Sequence, residues 1–132
     1  EELSINIELV KINESKKDEQ LDISISCHIL NIDGKGELEN ILKKIAKKDS
    51  TFADCLDSWK ECLEEKDKEI SSKDFLKFWI NNYIRFDTCA KEEQKQISRK
   101  CSFQKAMQKD IWNFDDEALD SLKEFLISMN SK

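Results

Sequence analysis

Residues 71–86 read SSKDFLKFWINNYIRF, and this stretch decides the fold. Phe75, Leu76, Phe78, Trp79, Ile80, Tyr83, Ile84 and Phe86 recur at helical spacing and cover more than half of a helix circumference. A helix apolar over that much of its surface sits at the centre of a core. Ser71 or Ser72 is placed to cap its start, with Asp74 completing a weak capping box from Ser71.

Upstream, Leu38, Ile41, Leu42 and Ile45 form one apolar stripe after Gly36. A second helix is expected from Ser50 or Thr51, either of which suits an N-cap, with Phe52, Cys55, Trp59, Cys62 and Leu63 as its buried stripe. Downstream, residues 92–112 are less regular. Ile97 and Cys101 make one stripe, while Phe103, Ala106 and Met107 make another rotated from it, so a bent helix or two short ones are predicted. The last helix is expected after a cap at Asn113 or Asp115, with Ala118, Leu119, Leu122, Phe125, Leu126 and Met129 facing inward.

Toward the N-terminus the period changes to two. Leu3, Ile5, Ile7 and Leu9 alternate with polar residues, and so do Leu21, Ile23, Ile25, Cys27 and Ile29. Val10 and Ile12 shift the phase, and polar residues 13–20 read as a connecting loop. Two strands alone are marginal in water, so the hairpin must pack on helices. The expected fold is α+β: an N-terminal β-hairpin (1–30) on a bundle of four to five amphipathic helices (36–130), in one domain spanning 1–132.

The chain has 132 residues, 39% of them hydrophobic, which is enough to bury a core without metals or disulfides. No apolar run approaches a membrane span, so a soluble domain is expected. Pro is absent and Gly34 and Gly36 are the only glycines, which suits helices joined by polar loops. Residue 1 is Glu rather than Met, which leaves open a processed protein or a domain cut from a longer one. A net charge of −6 disfavours nucleic acid and anionic membranes as partners. Residues 91–109 are locally basic and 110–132 locally acidic, a pattern expected of intramolecular pairing or a solvated face.

The residues with chemical potential do not assemble into a motif. His28, the only histidine, follows Cys27, but neighbours on a strand point to opposite faces, so an exposed strand histidine is expected. The five cysteines, Cys27, Cys55, Cys62, Cys89 and Cys101, include no C-x-x-C pair. Cys55 and Cys62 lie two turns apart on one helix, about 10.5 Å in rise, too far to bond each other. Buried free thiols are expected, with one or two disulfides among the five as the alternative. Asn31, Asp33 and Gly36 resemble part of a calcium loop, but Lys35 and Leu42 stand where ligands belong; Asp67 and Asp74 form a second vestige with Lys68 in the glycine place. Both are turns on this reading. No glycine-rich phosphate loop or nucleophile motif occurs, so no enzyme, cofactor or metal is expected.

The expectation is a protein-binding module, for instance an acidic inhibitor or immunity-type protein that neutralises a basic partner. Its contact residues would be Phe75, Phe78, Trp79, Tyr83 and Phe86, or the free edge of the hairpin. The alternative is a secreted helical carrier of a small apolar ligand, locked by disulfides. The compartment stays open, with unpaired thiols leaning it toward the cell interior.

Overall fold

The computed structural model describes residues 15–18, 23–31, 34 and 37–130. Helices dominate them: α1 (Leu38–Lys44), α2 (Thr51–Asp54), α3 (Leu56–Glu64), α4 (Ser72–Asn82), α5 (Lys91–Gln94), α6 (Ile97–Lys100), α7 (Phe103–Ala106) and α8 (Asp120–Asn130). A π-helical turn, Tyr83–Asp87, prolongs α4, and a 3₁₀ turn, Glu117–Leu119, leads into α8. No helix among the described residues is long and apolar enough to cross a membrane.

The central helix starts as its sequence predicts. Ser71 Oγ accepts from the Asp74 backbone N–H at 3.1 Å and donates to the Asp74 carboxylate at 2.7 Å. Its apolar residues Phe75, Trp79 and Ile80, continued by Tyr83 and Ile84 in the π turn, are buried. Ile41, Leu42 and Ile45 meet them from α1, and Ala106, Ile111, Trp112 and Leu119 close the core from the C-terminal half. Leu38, expected on the same stripe of α1, is exposed.

Tyr83 holds this core together. Its ring stacks on Trp79 with centroids 5.3 Å apart and tilts against Trp112 at 5.4 Å. Its hydroxyl donates to the Ile111 carbonyl at 2.8 Å and accepts from the Lys48 backbone N–H at 3.0 Å. Next to it, Lys47 N–H donates to Ile111 O at 3.0 Å and Asn113 N–H donates to Ile45 O at 2.7 Å, a short antiparallel bridge that ties the exit of α1 to residues 111–113. The two buried indoles are also satisfied: Trp79 donates to Asp54 and Trp112 to the Ala106 carbonyl, both at 3.0 Å.

The start of α2 differs from its prediction. Neither Ser50 nor Thr51 caps it; the Ser50 hydroxyl donates to Asp54 instead. The carboxylate of Asp87 accepts from Phe52 N–H at 2.8 Å and Ala53 N–H at 3.0 Å, so the cap comes from the end of the π turn. A charged acceptor on two unpaired helix N–H groups should be worth more than a neutral cap. Asp87→Ala is therefore expected to lower stability by about 1–2 kcal/mol, read as an earlier urea midpoint with an unchanged slope. An unchanged midpoint would remove Asp87 from this role.

The expected hairpin is not supported. Residues 3–9, its first strand, lie outside the described residues. The antiparallel pair that is described joins β1 (Ser15–Asp18) to β2 (Ile23–Ser26), with Ser15 opposite Ser26 and Asp18 opposite Ile23. β1 thus falls inside the segment expected to be a loop. Alternation marks the faces of a strand but not its partner, and closing a four-residue connection costs less entropy than closing a longer one.

Residues 92–112 also depart from the predicted bent helix or pair of helices. They contain three four-residue helices, α5, α6 and α7. A disulfide between Cys89 and Cys101, Cα atoms 5.8 Å apart, spans the first two. The second calcium-like vestige is a helix terminus: Asp67 has φ 54°, Lys68 N–H donates to Leu63 O and Asp67 N–H to Glu64 O. That is the Schellman arrangement, with Asp67 in the left-handed position.

Candidate interaction surface

The structure divides the five aromatic residues expected to form a contact surface. Phe75, Trp79 and Tyr83 are buried in the core and are unavailable to a partner. Phe75 is further covered by Lys43 and Lys60, whose ammonium groups lie 5.9 and 5.5 Å from its ring centroid. Phe78 and Phe86 are exposed, at 42% and 45%.

The two exposed rings do not stand alone. Phe78 meets Trp59 edge-on at 5.3 Å, and Phe86 meets Phe52 at 6.0 Å. Trp59 and Phe52 are themselves exposed. The result is a seam of four solvent-facing rings, two from the α2–α3 segment and two from α4 and its π turn. The pairing is antiparallel: the earlier ring of one segment meets the later ring of the other.

Helix geometry explains the alignment. Phe52 and Trp59 are seven residues apart, close to the 7.2 of two α-helical turns. Phe78 and Phe86 are eight apart, which in an uninterrupted α-helix would rotate Phe86 by about 80° from Phe78. The π turn takes in about one additional residue and brings Phe86 back into line. Thr88 completes it, with its N–H donating to the Tyr83 carbonyl at 3.0 Å and its hydroxyl donating to Tyr83 O and Ile84 O.

The stripe expected to bury α2 and α3 is therefore largely on the outside. Phe52, Cys55, Trp59 and Cys62 are exposed, and α3 has no buried residue. The core takes Ala53 and, in part, Leu56. Cys55 and Cys62 are free and exposed rather than buried, and Cys27 is a free, half-buried thiol. Cys89 and Cys101 are buried and bonded to each other. His28, expected to be exposed on a strand, lies beyond β2, half-buried and stacked on Phe125 with centroids 5.0 Å apart.

Elsewhere among the described residues, three features bring reactive or apolar groups together. Cys89, Glu93 and Cys101 bring possible metal donors within 4.8 Å of one another. The two sulfurs are spent on their disulfide. Glu93 accepts from Lys109 at 2.6 Å and from Ala90 N–H at 3.3 Å. The bond to Lys109 holds the Glu93 carboxyl below its ordinary range, as the bond from Lys47 does for Asp110. Whatever these two pairs add to stability is lost as pH falls through those lowered values. A cleft of about 110 Å³ lined by Leu38, Leu42, Lys77, Ile80 and Phe103 is open to solvent. On α8, Leu126, Ile127 and Met129 are exposed. Among the described residues, Phe52–Phe86 and Trp59–Phe78 are the exposed aromatic pairs that bridge the α2–α3 segment and α4 with its π turn. Compared with family models, curated proteins and solved structures, the chain matches none of them.

Proposed function

We propose that this chain is a non-enzymatic protein-binding domain that docks its partner on the seam of Phe52, Trp59, Phe78 and Phe86. The observation that carries the reading is the pairing of these exposed rings across two helices. Rings left in water forgo the favourable free energy of burial, and aromatic clusters of this kind supply most of the energy at protein interfaces. The two segments beneath the seam are anchored by buried residues and by the Asp87 cap, so the rings are presented in fixed positions and little ordering is required on binding. The net charge of −6 supports a basic partner, in the manner of an acidic inhibitor or immunity-type protein.

The Cys89–Cys101 disulfide supports an oxidising compartment over the cell interior. It equally suits a secreted carrier of a small apolar ligand. The described cleft of about 110 Å³ gives that second reading little support, since pockets for such ligands span roughly 300–1,000 Å³.

The test is partner capture from the native source, followed by affinity measurement with the captured protein. Trp59→Ala combined with Phe78→Ala should weaken binding at least about tenfold, because each truncation at an interface centre costs on the order of 1–2 kcal/mol. The thermal midpoint should move little, as both side chains face solvent. Unchanged affinity would exclude the seam.

A further inference from the structure

We propose that Cys55 and Cys62 join two copies of this chain through a reciprocal pair of disulfides, Cys55 of each copy bonded to the partner subunit's Cys62. The proposal does not rest on the protein-binding reading, and it competes with that reading for the Trp59 ring, which lies beside the thiol line. It starts from three facts about the thiols. Both are free and exposed, while Cys89 and Cys101 are bonded, so the chain combines an oxidised pair with two accessible thiols. Both lie on one line of a nearly continuous helix, since Cys55 links α2 to α3 with helical angles of φ −60° and ψ −15°. Seven residues separate them, about 10.5 Å along the axis and about 20° around it, so they face the same way but cannot reach each other.

A pair of equivalent sites that cannot close internally is self-complementary in one arrangement. When two copies of α3 lie antiparallel about a two-fold axis, residue i of one faces residue j of the other and the reverse. With the axis midway between positions 55 and 62, each Cys55 faces the partner's Cys62. Helices packed with axes about 10 Å apart bring facing Cα atoms to about 5 Å, within the range a disulfide spans. The surroundings suit this approach. Ser58 and Trp59 flank the axis on either side of the thiol line: Ser58 is small, and the exposed Trp59 ring comes beside its counterpart. Asp57, Lys60 and Glu64 fall on the far side of α3, where Lys60 pairs with Glu64 at 3.9 Å, so no like charges are pressed together along the thiol line.

The bonds form by exchange with a low-molecular-weight disulfide such as oxidised glutathione. A Cys55 thiolate attacks one of its sulfurs, the S–S bond breaks, and one glutathione thiolate leaves. The partner's Cys62 thiolate then attacks the Cys55 sulfur of the mixed disulfide and displaces the second glutathione. Two protein thiols are oxidised and one glutathione disulfide is reduced to two thiols for each bond made.

The experiment incubates the full chain in a glutathione redox buffer, blocks remaining thiols, and reads mass on a non-reducing gel with peptide mapping. A dimer whose mapped bridge links the peptides of Cys55 and Cys62 is expected. Cys55→Ser and Cys62→Ser should each remain monomeric, because the surviving thiols are roughly 10 Å apart along the axis in this register. Mixing the two variants should restore a dimer, now with one bridge. Monomers with alkylated or glutathionylated Cys55 and Cys62 would overturn the proposal. So would bridges linking Cys55 to Cys55 or involving Cys27, or a mixture of the two variants that stays monomeric. A Cys55→Ser, Cys62→Ser double variant, which stays monomeric with the Cys89–Cys101 bridge intact, carries the partner-capture assay and keeps the outcome for the seam separate.

Discussion

Tyr83→Ala is expected to remove about 4 kcal/mol of stability, the upper part of the range for deleting a buried aromatic ring. The ring is fully buried, and its removal leaves Trp79 and Trp112 facing a cavity rather than each other's neighbour. It also leaves the Lys48 N–H without its acceptor and the Ile111 carbonyl with the Lys47 N–H alone, loosening the hold of residues 111–113 on the exit of α1. A domain of this size has on the order of 5–15 kcal/mol to lose, so the variant should give up a large share of its stability and unfold at a much lower urea concentration. Tyr83→Phe separates the two contributions: it keeps the ring and removes the hydroxyl, at a cost of about 1–3 kcal/mol for two lost hydrogen bonds and a part-buried Lys48 N–H left without its acceptor. Burial raises the phenol above its ordinary 10.0. The unfolded chain then ionises first, so this contribution is complete below pH 10 and is lost as pH rises through the raised value. Urea unfolding at pH 7 and above pH 10 would show it. Equal stability of Tyr83→Phe and the parent would mean that the hydroxyl is not the clasp between the two halves.

Removing the Cys89–Cys101 disulfide, by Cys89→Ala with Cys101→Ala or by reduction, is expected to cost about 3 kcal/mol. That is the chain-entropy figure for a loop near this length. The enclosed segment has little else to hold it. α5 contains no buried residue, and each of α5 and α6 is a single turn, too short to persist by propensity. The Glu93–Lys109 pair ties this segment to a later one. Amide exchange in residues 90–100 should therefore accelerate strongly in the reduced protein, while the amides of α4 accelerate only by the loss of global stability. Identical unfolding curves in the presence and absence of reductant would show that the segment is held by packing instead.

What the sequence disclosed follows the range of the interactions involved. The start of α4 was legible because its cap is made by residues three apart, and its inward face because Trp79, Ile80, Tyr83 and Ile84 repeat at the helical period. The outer rings were not separable from the inner ones. Phe78 and Phe86 belong to the same apolar run, and the π turn that aligns them has no signature in spacing. Phe52, Cys55, Trp59 and Cys62 form a regular stripe that reads as buried, yet the core accepts Ala53 and Leu56 from that segment. Periodicity shows that a face is apolar, but only the tertiary arrangement decides whether another element covers it. The Asp87 cap reaches across 34 and 35 residues to the start of α2, beyond any local pattern. The disulfide was one of several possible pairings that spacing alone does not rank.

Tryptophan emission reports whether Trp59 and its neighbours in the seam meet the partner. Trp79 and Trp112 are buried and shielded in the free protein, whereas Trp59 is exposed, so the quenchable emission comes from Trp59. Its contribution is isolated by subtracting the signal of a Trp59→Phe variant. On addition of the captured partner, the difference spectrum should shift to shorter wavelength and lose its quenching by acrylamide. A partner that binds with full affinity while the Trp59 emission stays quenchable and unshifted would contradict the account.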